Sequence, residues 1–102
     1  MDKKIVYFDM DGVLVNFQSG IDQLDLHDKI EYKGRYDEVP GIFGTMKPNT
    51  EMISLFNVMN SDERYDCYVL STAPWENPSA SSDKVEWIQK YLPKAYKKLI
   101  LS

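Results

Sequence analysis

Four apolar residues, Ile5 to Phe8, run without interruption into Asp9-Met10-Asp11-Gly12, and three aliphatics, Val13 to Val15, follow. β-Branched and aromatic side chains in so short a run predict a central strand of a parallel sheet, covered on both faces and ending in a loop. Further along, Met52, Ile53, Phe56 and Met59 recur every three to four positions. That spacing predicts a helix capped at Asn49 or Thr50 and closed by Asn60-Ser61-Asp62. Tyr65 to Leu70 reads as the next strand, which makes the intervening helix the crossover of a right-handed βαβ unit. Asp83 with Glu86 forms a capping-box-like start for another helix, with Val85, Ile88 and Leu92 on its core face and Trp87 and Tyr91 one turn apart beside them. Pro93 stops it, and Leu99-Ile100-Leu101 begins a third strand. Strands alternating with helices predict an α/β domain with a parallel sheet.

Two stretches stand outside this alternation. Residues 16–40 are rich in charged and aromatic side chains with only weak helical periodicity through Ile21 and Leu24, and are expected to form a small cap inserted over the pocket mouth. Pro40-Gly41 and Lys47-Pro48 mark breaks behind it. At 102 residues the chain has room for one domain, 1–102, and no second core. Sixteen acidic against twelve basic residues give a net charge of -4, which argues against a nucleic-acid polymer as partner. Cys67 is the only cysteine; in an apolar run it reads as a buried thiol, and no internal disulfide can form. No apolar run reaches membrane-spanning length and no cleavable signal is apparent, so a cytoplasmic protein is expected. An open sheet edge at Leu99 to Leu101 predicts self-association, as a homodimer or aggregate.

The chemistry lies where the first strand ends. Side chains two apart on an extended chain leave on the same side, so Asp9 and Asp11 would share a pocket at the strand's C-terminal end. Paired carboxylates suit a hard cation such as Mg²⁺. One of them can attack phosphorus while the other transfers protons. The bland alternative is an acidic turn or a calcium loop, but Val13 to Phe17 offer none of the further oxygen ligands such a loop needs. Gly12 frees the backbone for a turn. Ser71-Thr72-Ala73 follows the second strand, where a hydroxyl could reach a phosphate held over Asp9. Lys84, in a helix's first turn, opposes the helix dipole unless it serves an anion. His27, between Asp25 and Asp28, reads by default as solvated, and Lys33-Gly34-Arg35-Tyr36 as a basic surface turn.

Asp9-Met-Asp-Gly-Val-Leu14 resembles the first motif of the haloacid dehalogenase superfamily. Val39-Pro-Gly-Ile-Phe43, Met46-Lys-Pro48, Leu70-Ser-Thr-Ala-Pro74, Asn77-Pro-Ser-Ala80, Lys84-x-x-Trp87 and Tyr91-Leu-Pro93 extend that resemblance, in order, to the 5′(3′)-deoxyribonucleotidases of bacterial or phage type. The resemblance implies a Rossmann-like haloacid dehalogenase core, apparently truncated here, and a Mg²⁺-dependent phosphatase that removes phosphate from nucleoside monophosphates through an aspartyl-phosphate. In it Asp9 is the nucleophile and Asp11 the acid and base, with Mg²⁺ held by the Asp9 carboxylate and the Asp11 backbone carbonyl. Thr72 and Ala73 bind phosphate, Lys84 lies close by, and Phe17 and Phe43 sandwich the base. Members of the family continue to a phosphate-neutralising lysine and a Gly-Asp-x-x-x-Asp-Asp region beyond the third strand, whereas this sequence stops at Ser102. Lys97 and Lys98 are not counted as substitutes. Two readings therefore stand: a nucleotidase whose 102 residues alone bind Mg²⁺ weakly and turn over slowly, or a non-catalytic remnant that binds phosphate or a protein partner.

Overall fold

Parallel strands cannot be joined by tight turns, and the long stretches between the apolar runs supply the crossovers they need. The computed structural model describes residues 2–102. In chain order it contains strand β1 (Lys4–Asp9), the short strand β2 (Val15–Asn16), helices α1 (Phe17–Asp22) and α2 (Leu26–Glu31), and a 3-10 turn at Tyr36–Glu38. Helix α3 (Ile42–Thr45), the short strand β3 (Lys47–Pro48), helix α4 (Thr50–Ser61) and strand β4 (Tyr65–Ser71) follow. Helix α5 (Ala80–Tyr91), a 3-10 turn at Pro93–Ala95 and strand β5 (Leu99–Leu101) complete the fold. The result is an α/β structure built on a parallel three-stranded sheet in the order β1-β4-β5.

The register pairs Phe8 with Val69 and Val69 with Leu99. Val6, Phe8, Cys67, Val69 and Leu99 thus share one face, and both crossover helices lie on it. On α4, Phe56 meets Phe8 edge to face, ring centres 5.1 Å apart. On α5, Val85 and Ile88 border a hollow with Leu99 and Leu101. Strands that step in one direction with crossovers of one hand place every crossover helix on the same side. The opposite face is bare: Ile5 is 57% and Tyr7 54% exposed. The expectation of a central first strand buried on both faces is therefore corrected. Among the described residues β4 is the middle strand of the three, and β1 lies at an edge, covered on one side.

The predicted helix at 50–61 forms as its spacing requires. Asn49 caps it, its side-chain oxygen accepting from the Met52 N–H at 3.4 Å, and Phe56 is fully buried. The last helix begins at Ala80, three residues before the predicted capping box. Main-chain bonds from Ala80 N–H to Asn77 and from Asp83 N–H to Ser79 already start the turn. Its buried stripe is Ala80, Lys84, Trp87 and Ile88, which leaves Val85 at the margin. Trp87 draws the stripe round because its indole N–H finds a buried partner, the Met46 carbonyl, at 2.9 Å. Tyr91 lies against it one turn later, ring centres 4.9 Å apart and planes tilted at 47°.

Residues 16–40 are helical and belong to a longer excursion. β2 and β3 pair antiparallel, Val15 with Pro48 and Asn16 with Lys47, and this two-stranded neck encloses everything from Phe17 to Met46. Gly20 is required inside it, since a Cβ there would lie 2.8 Å from Met46 Cγ. Asn77, buried in the loop before α5, ties the excursion down by donating from Nδ2 to the carbonyls of Asp37 at 2.9 Å and Val39 at 3.0 Å. Among the described residues, no helix is long and apolar enough to cross a membrane.

Cys67 lies buried in the middle of β4, and that burial pushes its thiol above the usual range. Since the thiolate is the reactive form, Cys67 is expected to resist a thiol-specific reagent at neutral pH and to react only as the protein unfolds in urea. Rapid stoichiometric labelling of the native protein would contradict this packing.

Candidate active site

Two sheet residues and a turn build the site at the C-terminal ends of β1 and β4. Asp9 is the last residue of β1. Met10 then plunges into the core, 1% exposed, and its carbonyl accepts from the N–H groups of Val13 at 3.4 Å and Val15 at 2.9 Å. This closes a tight loop in which Gly12 adopts φ +80°, a left-handed conformation that costs a side-chain-bearing residue energy. The Met10 N–H bonds to the Leu70 carbonyl at 3.0 Å, so the loop is fixed to β4. The outcome is a shallow cavity of about 290 Å³ lined by Asp9, Met10, Asp11, Leu70, Ser71, Thr72 and Ser102. Both aspartates and Thr72 meet there, as their spacing predicted.

The two carboxylates have different surroundings. Asp9 is exposed and, among the described residues, enters no ion pair. Asp11 is anchored through one oxygen. Its Oδ2 accepts from Lys84 Nζ at 2.9 Å and from Ser71 Oγ at 3.2 Å. Its Oδ1 is buried with no hydrogen-bond partner. A buried carboxylate oxygen left unsatisfied is costly in isolation.

Lys84 is the cation of this site, and the structure uses it differently from a solvent-facing phosphate ligand. Its side chain is 0% exposed. Its three donors go to Asp11 Oδ2, to Ser71 Oγ at 2.6 Å and to the Thr72 carbonyl. Its ammonium also lies 4.2 Å from the centre of the Phe43 ring, a favourable cation–π contact. The penalty of a lysine in the first turns of α5 is thus offset by the Asp11 anion. Lys84 thus brings a positive charge to Asp11 from within these 102 residues.

Two other expectations are redirected. Phe43 is 2% exposed and meets Phe17 edge to face, with ring centres 6.1 Å apart and planes at 64°. Two rings touching in that way leave no slot for a base, so the proposed sandwich does not form. Phe17 instead borders a separate hollow with Gly12, Asn16, Gln18 and Asn49. Ala73 spends its N–H on the Ser102 carbonyl at 3.2 Å, which removes the donor a phosphate would use. Trp75 is 94% exposed beyond Thr72. His27 is solvated beside Asp28, with Nδ1 3.5 Å from the carboxylate, and Arg35 of the basic turn is paired with Glu38 at 3.1 Å.

The hydroxyl that meets Asp11 and Lys84 is that of Ser71 rather than of its neighbour Thr72. The strand's alternation carries the signal. Ser71 lies two residues after Val69 and so shares the core face with it, toward α5 and Lys84.

No protein-family model matches this chain. The chain is 59% identical over 102 residues to a protein of Vibrio phage KVP40 that is provisionally named a 5′(3′)-deoxyribonucleotidase. The alignment covers 99% of this chain and 59% of the phage protein, so the chain spans a little under two thirds of the length of the relative it matches.

Proposed function

We propose that the chain carries the phosphoryl-transfer centre of a Mg²⁺-dependent phosphatase acting on nucleoside 5′- or 3′-monophosphates, deoxyribonucleotides among them. The observation that carries this reading is the pairing of an unencumbered Asp9 carboxylate with an Asp11 that is anchored by one oxygen and unpartnered at the other. The name of the phage relative supports the same class of reaction.

Asp9 attacks phosphorus, and the bond to the nucleoside oxygen breaks as an aspartyl-phosphate forms. Asp11 gives a proton to the departing oxygen. Water then attacks the aspartyl-phosphate, Asp11 takes the proton back, and inorganic phosphate leaves with Asp9 restored. Thr72, exposed at the rim, offers its hydroxyl to the phosphate. Lys84, with its donors occupied, acts as a fixed positive charge behind Asp11. The Asp9 carboxylate, exposed and in no ion pair among the described residues, suits a hard cation. Asp9 and the Asp11 backbone carbonyl would hold Mg²⁺, which supplies neutralisation of phosphate charge. Phe17 and Trp75 remain the aromatic surfaces available to a base.

The test is phosphate release from a panel of deoxyribo- and ribonucleoside monophosphates and one small sugar phosphate, with Mg²⁺ and with chelator. Turnover of the nucleotides that requires Mg²⁺ and exceeds that of the sugar phosphate is expected. Equal rates for a sugar phosphate and a deoxynucleotide would remove the nucleotide assignment. Absence of all turnover, with phosphate binding detected by calorimetry, would establish the binding-only alternative.

A further inference from the structure

We propose that the buried Asn77 is a positioning residue, and that it mounts Trp75 as a stacking surface for the base of the nucleotide. Tryptophan is highly buried on average, yet Trp75 is 94% exposed. Among the described residues its ring meets no other ring and no cation. The backbone beneath it is nevertheless held firmly. The Asn77 N–H donates to the Pro74 carbonyl at 3.0 Å, which closes a turn with Trp75 and Glu76 at its tip, and Pro74 and Pro78 restrict the chain on either side. Asn77 itself is 2% exposed. Its Nδ2 donates to the carbonyls of Asp37 and Val39 at 2.9 and 3.0 Å, and its Oδ1 accepts from Ser79 Oγ at 3.1 Å. The Ser79 oxygen in turn accepts from the Gly41 N–H at 3.2 Å. An exposed ring gains no packing from so rigid a mount. A ligand that stacks on it does gain, because the turn is ordered before binding.

The position of the turn identifies the ligand. Thr72 lines the cavity that holds the two aspartates, and the chain from Thr72 to Trp75 spans at most roughly 11 Å. Between them Ala73 is tied to the sheet edge, its N–H donating to the Ser102 carbonyl at 3.2 Å. A planar ring carried by a phosphate in that cavity is within reach of Trp75, and a nucleobase is such a ring. Stacking uses the π-face that every base has, so Trp75 favours nucleotides over other phosphate esters without choosing among bases. This inference rests on the phosphatase reading above.

Trp75 and Trp87 are the two tryptophans of the chain, and Trp87 is 2% exposed, so the emission open to acrylamide is that of Trp75. Deoxyadenosine and thymidine 5′-monophosphates should each quench it and shield it from acrylamide, whereas inorganic phosphate should not. By calorimetry, Trp75→Leu is expected to weaken both nucleotides by about 5- to 100-fold, the range for one base on one aromatic side chain, and to bind inorganic phosphate as before. Trp75→Phe should recover most of the loss. Asn77→Ala should weaken the nucleotides several-fold and lower the anisotropy of the Trp75 emission, again with inorganic phosphate unaffected. Equal losses for nucleotide and inorganic phosphate would reduce Asn77 to a support of the fold, and wild-type nucleotide affinity in Trp75→Leu would remove the stacking surface. Should Asn77→Ala not fold, the wild type still decides the mount, because a Trp75 that tumbles independently of the protein overturns it. A wild type that binds inorganic phosphate but no nucleotide ends this inference alone, whereas one that binds neither ends the phosphatase reading with it.

Discussion

Asp9→Asn is expected to reduce Mg²⁺-dependent phosphate release by roughly a thousandfold or more, the scale on which losing a covalent nucleophile is felt. An amide keeps the size and shape of the side chain but does not attack phosphorus comparably. Stability should barely change, because Asp9 is exposed and, among the described residues, enters no ion pair that the substitution would break. Asp11→Asn should fail by a different route. Its loss is that of proton transfer, about a hundredfold or more, and a substrate with an activated leaving group, which needs no proton, should recover much of it. Radiolabelled phosphate should become attached to the wild-type chain on mixing with substrate and quenching in acid, and should not in Asp9→Asn. Wild-type turnover by Asp9→Asn would rule out the covalent route.

The parts of this molecule legible in the sequence are those governed by local rules. The 50–61 helix follows from the spacing of Met52, Ile53, Phe56 and Met59 together with the Asn49 cap. β4 and β5 follow from short apolar runs bounded by polar ones, and the meeting of Asp9 with Asp11 follows from alternation along a strand. What was misread depends on partners distant in sequence. The four apolar residues of β1 look like a strand buried on both sides, yet which faces are covered is set by the order in which strands are added. Here the order β1-β4-β5 places both crossover helices together. The aromatic content around Phe17 and Phe43 suggested a binding slot. Phe43 is instead drawn inward because a buried ammonium 41 positions later lies against its ring. The side-chain pattern puts the start of α5 at Asp83, while main-chain bonds from the Ala80 and Asp83 N–H groups to the carbonyls of Asn77 and Ser79 begin it earlier.

The largest effect on stability should come from the Asp11–Lys84 pair, and it should be asymmetric. Lys84 is completely enclosed, whereas the Asp11 side chain retains 31% exposure. Removing a partner from a buried pair leaves the other charge uncompensated at a cost of about 3–5 kcal/mol, and the cost falls on whichever charge water cannot reach. In Asp11→Ala the stranded charge is the Lys84 ammonium, left with the Ser71 hydroxyl and the Thr72 carbonyl but no anion. This variant should approach that full penalty. In Lys84→Met the stranded charge is the Asp11 carboxylate, which water can partly solvate, and methionine fills nearly the same volume against Phe43. The penalty should be smaller, about 1–3 kcal/mol, chiefly for unsatisfied acceptors at Ser71 and Thr72. The double substitution removes both charges and should be more stable than Asp11→Ala alone, so the two effects are not additive. Urea unfolding of the four proteins, read as midpoints at constant m-value, measures all three statements. A double variant less stable than Asp11→Ala, or Lys84→Met costing more than Asp11→Ala, would show that Lys84 is held by packing and that its charge does not depend on Asp11.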